Sequence, residues 1–323
     1  RRLLRKRRIK GKTSLQRALI MDNFTLKKIK ASSVALGTFD GLHMGHRSVI
    51  EKAVDCRSSE VPLILMFNEH PLLYLCGNAP KRLITKNHEI ALLKEMGITP
   101  VYVDFPSLMN LSCEDFIVSI TRKLGINQIS CGFNYHFGKN AEGDTMTLKQ
   151  LCDDNGIRLK VAGAVMYEDL PVSSSRIRDA LEKGNVISAS NMLGRHFSYD
   201  FPVQESRKLG RELGFPTINQ HFPNDFIIPK FGVYASYALV KKRFYPSVTN
   251  IGLRPTVSDG VLGSETHIIG INETLYGENI RVALTERLRD EIKFASLEEL
   301  KNRIRSDREK ALRLWEEYDG KTD

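Results

Sequence analysis

Near residue 194 the hydrophobic pattern of this 323-residue chain changes period, and that change constrains the fold more than any other feature. Before it, short apolar runs alternate with helix-like stretches. Val34-Ala35-Leu36 reads as a buried strand, followed by a glycine-rich turn and a helix from about Gly45 to Cys56; Val61–Phe67 and Val101-Tyr102-Val103 read as further strands. Ser112-Cys-Glu-Asp115 has the form of a capping box, opening a helix with Phe116, Ile117, Ile120 and Leu124 on one face. Gly125 closes that helix, and Gln128–Cys131 returns as a strand. Strands separated by helices imply a parallel sheet covered on both faces, so the first half is expected to be α/β.

Beyond residue 194, prolines and glycines become frequent and β-rich runs follow one another directly. They are Val233–Val240, Ser247–Ile251, His267–Ile271 and Ile280–Leu288, a pattern that suits a small antiparallel barrel. One helix closes the chain behind a second capping box, Ser296-Leu-Glu-Glu299, with Leu297, Leu300, Ile304, Ala311 and Trp315 on a common face. The boundary falls near 186–198.

The net charge of +10 is concentrated at one end. Residues 1–20 hold nine Lys or Arg and no acid, so the remainder is nearly neutral, and nucleic-acid binding is not expected beyond non-specific attraction to this arm. Met21 begins a segment that soon reads as strand, which places 1–20 outside the expected fold. No apolar run approaches the ~20 residues of a membrane span. The cysteines Cys56, Cys76, Cys113, Cys131 and Cys152 are scattered without a Cys-x-x-Cys pair, as expected of reduced thiols in a cytoplasm.

The chemistry is concentrated in Gly37-Thr-Phe-Asp-Gly-Leu-His-Met-Gly-His46, between a buried strand and a helix. Gly37 and Gly41 permit a tight turn, and Gly45 lets a phosphate approach a helix N-terminus, where free N–H groups and the dipole favour anions. His43 and His46, three apart in the first turn, can donate hydrogen bonds to a triphosphate while partly protonated. Late in the first half, Val172-Ser-Ser-Ser-Arg-Ile-Arg178 offers hydroxyls at a helix start beside two guanidinium groups.

These two segments resemble the HxGH nucleotidyltransferases in the form used by bacterial FAD synthetases. The resemblance implies a Rossmann-like sheet and adenylyl transfer from ATP without a covalent enzyme intermediate. It assigns Gly37, Thr38, Phe39, Asp40, Gly41, Gly45, Ser174, Ser175 and Arg178 to ATP and phosphate binding, and His43, His46 and Arg176 to catalysis. Ser173 aligns with the same stretch. Phe67-Asn-Glu-His-Pro71 resembles the family's Phe-x-Pro-His-Pro, with Glu69 at its first proline. Cys131-Gly-Phe-Asn-Tyr-His-Phe-Gly138, with Gly143-Asp144, resembles a flavin-lining stretch and implies Asn134 and Phe137 at the flavin, Asn134 replacing the usual Asp.

Gly210-Arg-Glu-Leu-Gly-Phe-Pro-Thr-Ile-Asn219 is similar to the riboflavin kinase signature. The similarity implies Gly210 and Arg211 at the nucleotide, Thr217 and Asn219 as Mg²⁺ ligands, Glu265 as catalytic base and Arg289 at the flavin. Gly232-Val-Tyr234, Asn250-Ile-Gly-Leu-Arg-Pro-Thr256, Leu275-Tyr-Gly277 and Arg289-x-Glu-x-x-Phe294 follow in family order. Phe201 and Ser206 stand where a flexible ATP-covering loop usually has glycines, which implies a raised Michaelis constant for ATP. The joint resemblance implies an FMN adenylyltransferase domain over 21–190 and a riboflavin kinase domain over 195–323. Its substrates and products are ATP, riboflavin, FMN and FAD, with no membrane partner and a homo-oligomer left open. A single-activity FAD synthetase with a decayed kinase half is the alternative enzyme. A flavin-sensing binding protein is the alternative outside enzymes, against which the intact His43, His46, Thr217, Asn219 and Glu265 count.

Overall fold

A computed structural model describes residues 31–205, 214–254 and 261–317. The chain forms two compact units. One comprises the described part of residues 1–39 with His46–Ala79 and Leu92–Ala164; the other comprises Asp40–Gly45, Pro80–Ala91 and the described part of 165–323. In chain order the elements up to residue 162 are β1 (Ser32–Leu36), α1 (Met44–Val54), β2 (Val61–Phe67), α2 (Pro71–Cys76), α3 (Lys86–Glu95), β3 (Thr99–Val103), α4 (Cys113–Leu124), β4 (Ile126–Gly132), α5 (Thr145–Asp154) and β5 (Arg158–Ala162).

The first unit is the expected parallel sheet, in the order β3-β2-β1-β4-β5. From β1 the chain adds β2 and β3 on one side and β4 and β5 on the other. The carboxyl end of β1 is therefore the switch point where ligands of such sheets bind. β1 is buried throughout, and its serines are satisfied inside the unit. Ser32 Oγ donates to the Leu124 carbonyl at 2.6 Å, and Gln128 Nε2 donates both to Ser33 Oγ (3.1 Å) and to the Lys52 carbonyl of α1 (2.9 Å). The α4 capping box forms as expected: Asp115 N donates to Ser112 Oγ at 3.0 Å, Gly125 ends the helix at φ 61°, and Phe116, Ile117, Ile120 and Leu124 are buried.

The remaining elements are β6 (Met166–Tyr167), β7 (Leu170–Pro171), α6 (Ser174–Glu182), α7 (Val186–Leu193), β8 (Phe197–Pro202), β9 (Ile218–His221), β10 (Gly232–Val240), β11 (Arg243–Arg254), β12 (Val261–Ile268), β13 (Asn279–Arg289) and α8 (Leu297–Glu317). Six antiparallel strands run in the order β8-β13-β10-β11-β12-β9. The edges β8 and β9 meet through a bridge between Val203 and Gln220, and Gln204 N donates to the Asn219 carbonyl at 2.8 Å, so the barrel is nearly closed. Gly263 is required there, because a Cβ would come 2.6 Å from the Gln220 carbonyl.

Three expectations are corrected in this unit. The third strand runs from Val261 to Ile268, not His267 to Ile271. Its inward residues include Ser264 and Thr266, both buried, which erase the apolar alternation. Their neighbours form a hydroxyl ladder instead, Ser236 to Thr249 at 2.7 Å and Thr249 to Thr266 at 2.9 Å. Phe201 is not a loop residue. It pairs with Ile280 within β8, and its ring packs edge-on to Phe222 and Phe226 in the barrel core. Leu297 is 61% exposed, because it opens α8 ahead of the region that touches the barrel. α8 packs through Ala311 and Leu314 on Val233, Ala235 and Val248, with Trp315 edge-on to Tyr237 at 4.8 Å between centroids.

Candidate active site

The turn after β1 adopts a left-handed conformation that most residues resist. Asp40–Leu42 forms a short 3-10 turn in which Gly41 has φ 80° and Leu42 has φ 45°. Only glycine takes the first without strain, and a Cβ there would also press on Leu83 at 3.0 Å. Gly37 and Gly45 do a different job, leaving room for rings. A Cβ on Gly37 would meet Phe39 at 3.2 Å, and one on Gly45 would meet the His43 ring at 3.2 Å. Phe39 is buried, Thr38 is exposed, and His46 packs edge-on to Phe39 with centroids 5.4 Å apart.

Side chains remote in sequence hold this turn. Asp40 accepts from Leu83 N at 3.1 Å and forms a largely buried ion pair with Arg178, whose Nε also donates to the Lys81 carbonyl at 2.7 Å. Burial pushes the Asp40 carboxyl up, against the opposing pull of Arg178. Arg195 donates to the carbonyls of Gly41 (2.7 Å) and Leu42 (3.2 Å). His43 is buried, and burial, with the positive charges of Arg195 and Arg178, lowers its pKa to about 4. The expectation of a partly protonated His43 is therefore corrected. It is a neutral imidazole near pH 7 that can donate from only one ring nitrogen.

Ser173 caps α6, accepting from Arg176 N at 3.3 Å, and Ser174 Oγ donates to the Asp40 carbonyl at 3.0 Å. Ser175 is exposed in the first turn of α6. The Arg176 guanidinium donates to the carbonyls of Tyr167, Leu170 and Pro171 at 2.8–3.0 Å, so it braces the β6–β7 hairpin and fixes its charge at the helix start. The other resemblance in this half divides. Asn134 is exposed, whereas Phe137 is buried, stacked on Tyr135 with centroids 5.7 Å apart and tilted against Phe116. His70 caps α2, accepting from Leu72 N at 3.2 Å.

The second set of residues is ordered by strand register. Asn219 of β9 pairs with Glu265 of β12, Glu265 with Asn250 of β11, Asn250 with Val233 of β10, and Val233 with Arg289 of β13. Directly paired residues share a face, so Asn219, Glu265, Asn250 and Arg289 lie along one transverse row on the outer face of the barrel. Arg289 is committed to the buried Asp307 of α8, donating from Nε at 2.9 Å, and sits over the Phe294 ring at 5.8 Å. Thr217 is placed by its neighbours. The His267 ring hydrogen-bonds the Pro216 carbonyl through Nδ1 at 2.9 Å and meets Phe215 edge-on, its pKa lowered mainly by burial. Gly210, Arg211 and Ser206 lie outside the described residues. Asn250 and His267 lie in stretches that follow the kinase signature, Asn250-Ile-Gly-Leu-Arg-Pro-Thr256 and Glu265-Thr-His267, but carried no expected role; Arg195 was not expected at all, since no local motif announces a partner about 150 positions away.

A turn at a parallel-sheet switch point is followed by a barrel carrying a carboxylate between two amides, and the two regions match two families of transferases. The FAD synthetase family matches residues 26–176 and the riboflavin kinase family residues 193–315. The bifunctional riboflavin kinase/FMN adenylyltransferase of Bacillus subtilis is 34% identical over 305 residues, 90% of this chain and 95% of that protein. Its counterpart in Escherichia coli K12 is 32% identical over 281 residues, 85% and 90%. The crystal structure of a macrolide-efflux protein from Streptococcus pneumoniae superposes with a TM-score of 0.80 at 27% identity, covering 88% of this chain and 95% of that one. This chain belongs to the bifunctional riboflavin kinase/FMN adenylyltransferase family. Among the described residues no helix is long and apolar enough to cross a membrane.

Proposed function

We propose that the chain phosphorylates riboflavin to FMN at the barrel row and adenylylates FMN to FAD at the turn after β1, using ATP in both steps. The observation that carries this reading is the pairing of Glu265 between Asn219 and Asn250. In the kinase step Glu265 accepts the proton of the riboflavin 5′-hydroxyl as the hydroxyl oxygen attacks the γ-phosphorus of ATP, and the bond to the β,γ-bridging oxygen breaks with ADP leaving. Thr217 and Asn219 offer a hydroxyl and an amide oxygen beside that carboxylate, a neutral oxygen set that fits Mg²⁺ when nucleotide phosphates supply most of the opposing charge. Bound there, Mg²⁺ would neutralise charge on the phosphates. Arg289, held by Asp307, contributes to the flavin side of the site.

In the second step an FMN phosphate oxygen attacks the α-phosphorus of ATP and pyrophosphate leaves. His43 and His46 donate hydrogen bonds to the phosphates, and the backbone of Gly45 and the exposed Ser175 face the polyphosphate at helix starts. Arg176 and Arg178 supply fixed positive charge for the departing pyrophosphate. Asn134 serves the flavin, while Phe137 supports that stretch from the core. Assigned along the chain, the adenylyltransferase chemistry belongs to 21–190 and the kinase chemistry to 195–323. The five cysteines are unpaired thiols, which supports a cytoplasmic setting. Incubation with riboflavin, ATP and Mg²⁺, with FMN and FAD separated over time, tests the proposal. FMN appearing first and FAD after it is expected; FAD from supplied FMN with no FMN from riboflavin would leave only the second activity.

A further inference from the structure

The turn of the adenylylation site carries two successive left-handed residues, Gly41 and Leu42, and the second is a branched side chain that gains nothing from being there. A leucine in this conformation is strained and persists only where surrounding contacts impose it. At the carbonyls of these two residues the contacts come from one guanidinium. Arg195 Nη2 donates to the Gly41 carbonyl at 2.7 Å, and Nη1 donates to the Leu42 carbonyl at 3.2 Å and to the Leu193 carbonyl at 3.3 Å. The last of these ties the same group to the end of α7, whose C-cap is Gly194. A planar fork with several fixed donors can hold carbonyls of consecutive residues together, which an ammonium does less well. Arg195 falls inside the stretch matched by the riboflavin kinase family, 193–315, yet its hydrogen bonds go to the turn that leads into α1.

We propose that Arg195 is a positioning residue for FMN adenylylation: its guanidinium fixes the left-handed Gly41–Leu42 backbone and so the placement of His43. This rests on reading the turn as the adenylyl-transfer site. Arg195 touches no reacting atom in this account. It sets the geometry in which His43 donates, and misplacement of a donor by about 1 Å can cost on the order of 100-fold in rate. A second consequence follows from charge. The charges acting on His43 are those of Arg195 and Arg178, the latter paired with Asp40, and both oppose protonation of the ring.

Arg195→Lys and Arg195→Gln, each in the full chain, provide the test, with FAD formation from FMN and FMN formation from riboflavin measured on the same preparations. Both variants should lose kcat for FMN adenylylation on the order of 10- to 100-fold, with the Michaelis constant for FMN and the riboflavin kinase rate unchanged. The acidic limb of adenylylation should move to higher pH in Arg195→Gln, as a repelling charge is lost, and stay in place in Arg195→Lys, which keeps it. Wild-type adenylylation in both variants, or equal loss of both activities, would overturn the proposal; the second result would mark Arg195 as merely structural. Should Arg195→Gln fail to fold, Arg195→Lys still decides by whether its loss is confined to adenylylation. A His46→Ala control separates this failure from that of the underlying reading. If His46→Ala makes FAD normally, the turn is not the adenylylation site; if it does not while both Arg195 variants do, only the role of Arg195 falls.

Discussion

The two sites are held in place by opposite means. At the barrel row, Asn219, Glu265 and Asn250 sit on adjacent hydrogen-bonded strands, so the backbone ladder itself sets their spacing. At the Asp40–Gly45 turn no ladder exists. A strained backbone is held by the side chains of Arg178 and Arg195 and by the Leu83 backbone N–H, which donates to the Asp40 carboxylate. A site on strands is sensitive mainly to its own reactive groups. A site on a turn depends also on charges distant in sequence, which lets its protonation and geometry be adjusted from elsewhere in its unit.

The sharpest way to break this comparison is at the carboxylate. Glu265→Gln keeps the shape and the register but removes the proposed base, and loss of a positioned general base costs on the order of 10²- to 10⁴-fold. FMN formation from riboflavin should fall by that amount while FAD formation from supplied FMN is retained. Residual kinase activity close to wild type would remove Glu265 from the chemistry.

Next in size is Phe201. Read as a loop residue, its replacement by glycine should ease ATP binding. As a core residue of β8, 9% exposed and packed on Phe222 and Phe226, it should instead be costly. Deleting a buried phenyl ring typically destabilises by about 3–5 kcal/mol. Phe201→Gly should therefore lower the urea midpoint of the barrel markedly and not lower the Michaelis constant for ATP. An unchanged midpoint would return Phe201 to the loop.

The contrast explains what was legible in the sequence. Elements whose pattern follows burial were readable: β1, α4 with its cap, and the overall change from α/β to barrel. The limits of β12 were not, because Ser264 and Thr266 face inward as a hydroxyl ladder and look polar in sequence. The row of Asn219, Glu265 and Arg289 could be named one by one from motifs, but their alignment depends on strand order, which no local pattern encodes. The supports of the turn were least visible. Asp40 and Arg178 are 138 positions apart, and Arg195 sits just after a helix end where it resembles any surface arginine.

A smaller loss is expected at His46. It lies in the first turn of α1, and removing one donor to a developing charge costs on the order of 100-fold or more. His46→Ala should lower FAD formation to that extent and leave riboflavin phosphorylation untouched, since the barrel row shares no residue with the turn. Normal FAD synthesis would dissociate the turn from adenylylation.

The smallest effect concerns protonation in the folded state. His43 titrates at about 4 when folded against about 6.5 when unfolded, so the unfolded chain binds the extra proton between those values. The group therefore contributes stability that is full above pH 6.5 and is lost as pH falls toward 4. Between pH 7.5 and 5 the loss attributable to this ring is about 2 kcal/mol. The Asp40 carboxyl, raised mainly by burial, contributes with the contrary sign as it takes up a proton, so His43→Asn isolates the ring from it. His43→Asn lacks a titrating ring, so its urea midpoint should fall less than that of the wild type over this interval. The barrel provides the internal contrast: His267, also lowered chiefly by burial, should add a component of the same sign that survives in His43→Asn and disappears in His267→Asn. Parallel pH dependence in wild type and His43→Asn would mean that the turn admits a proton freely, and that burial, Arg195 and Arg178 do not hold His43 neutral.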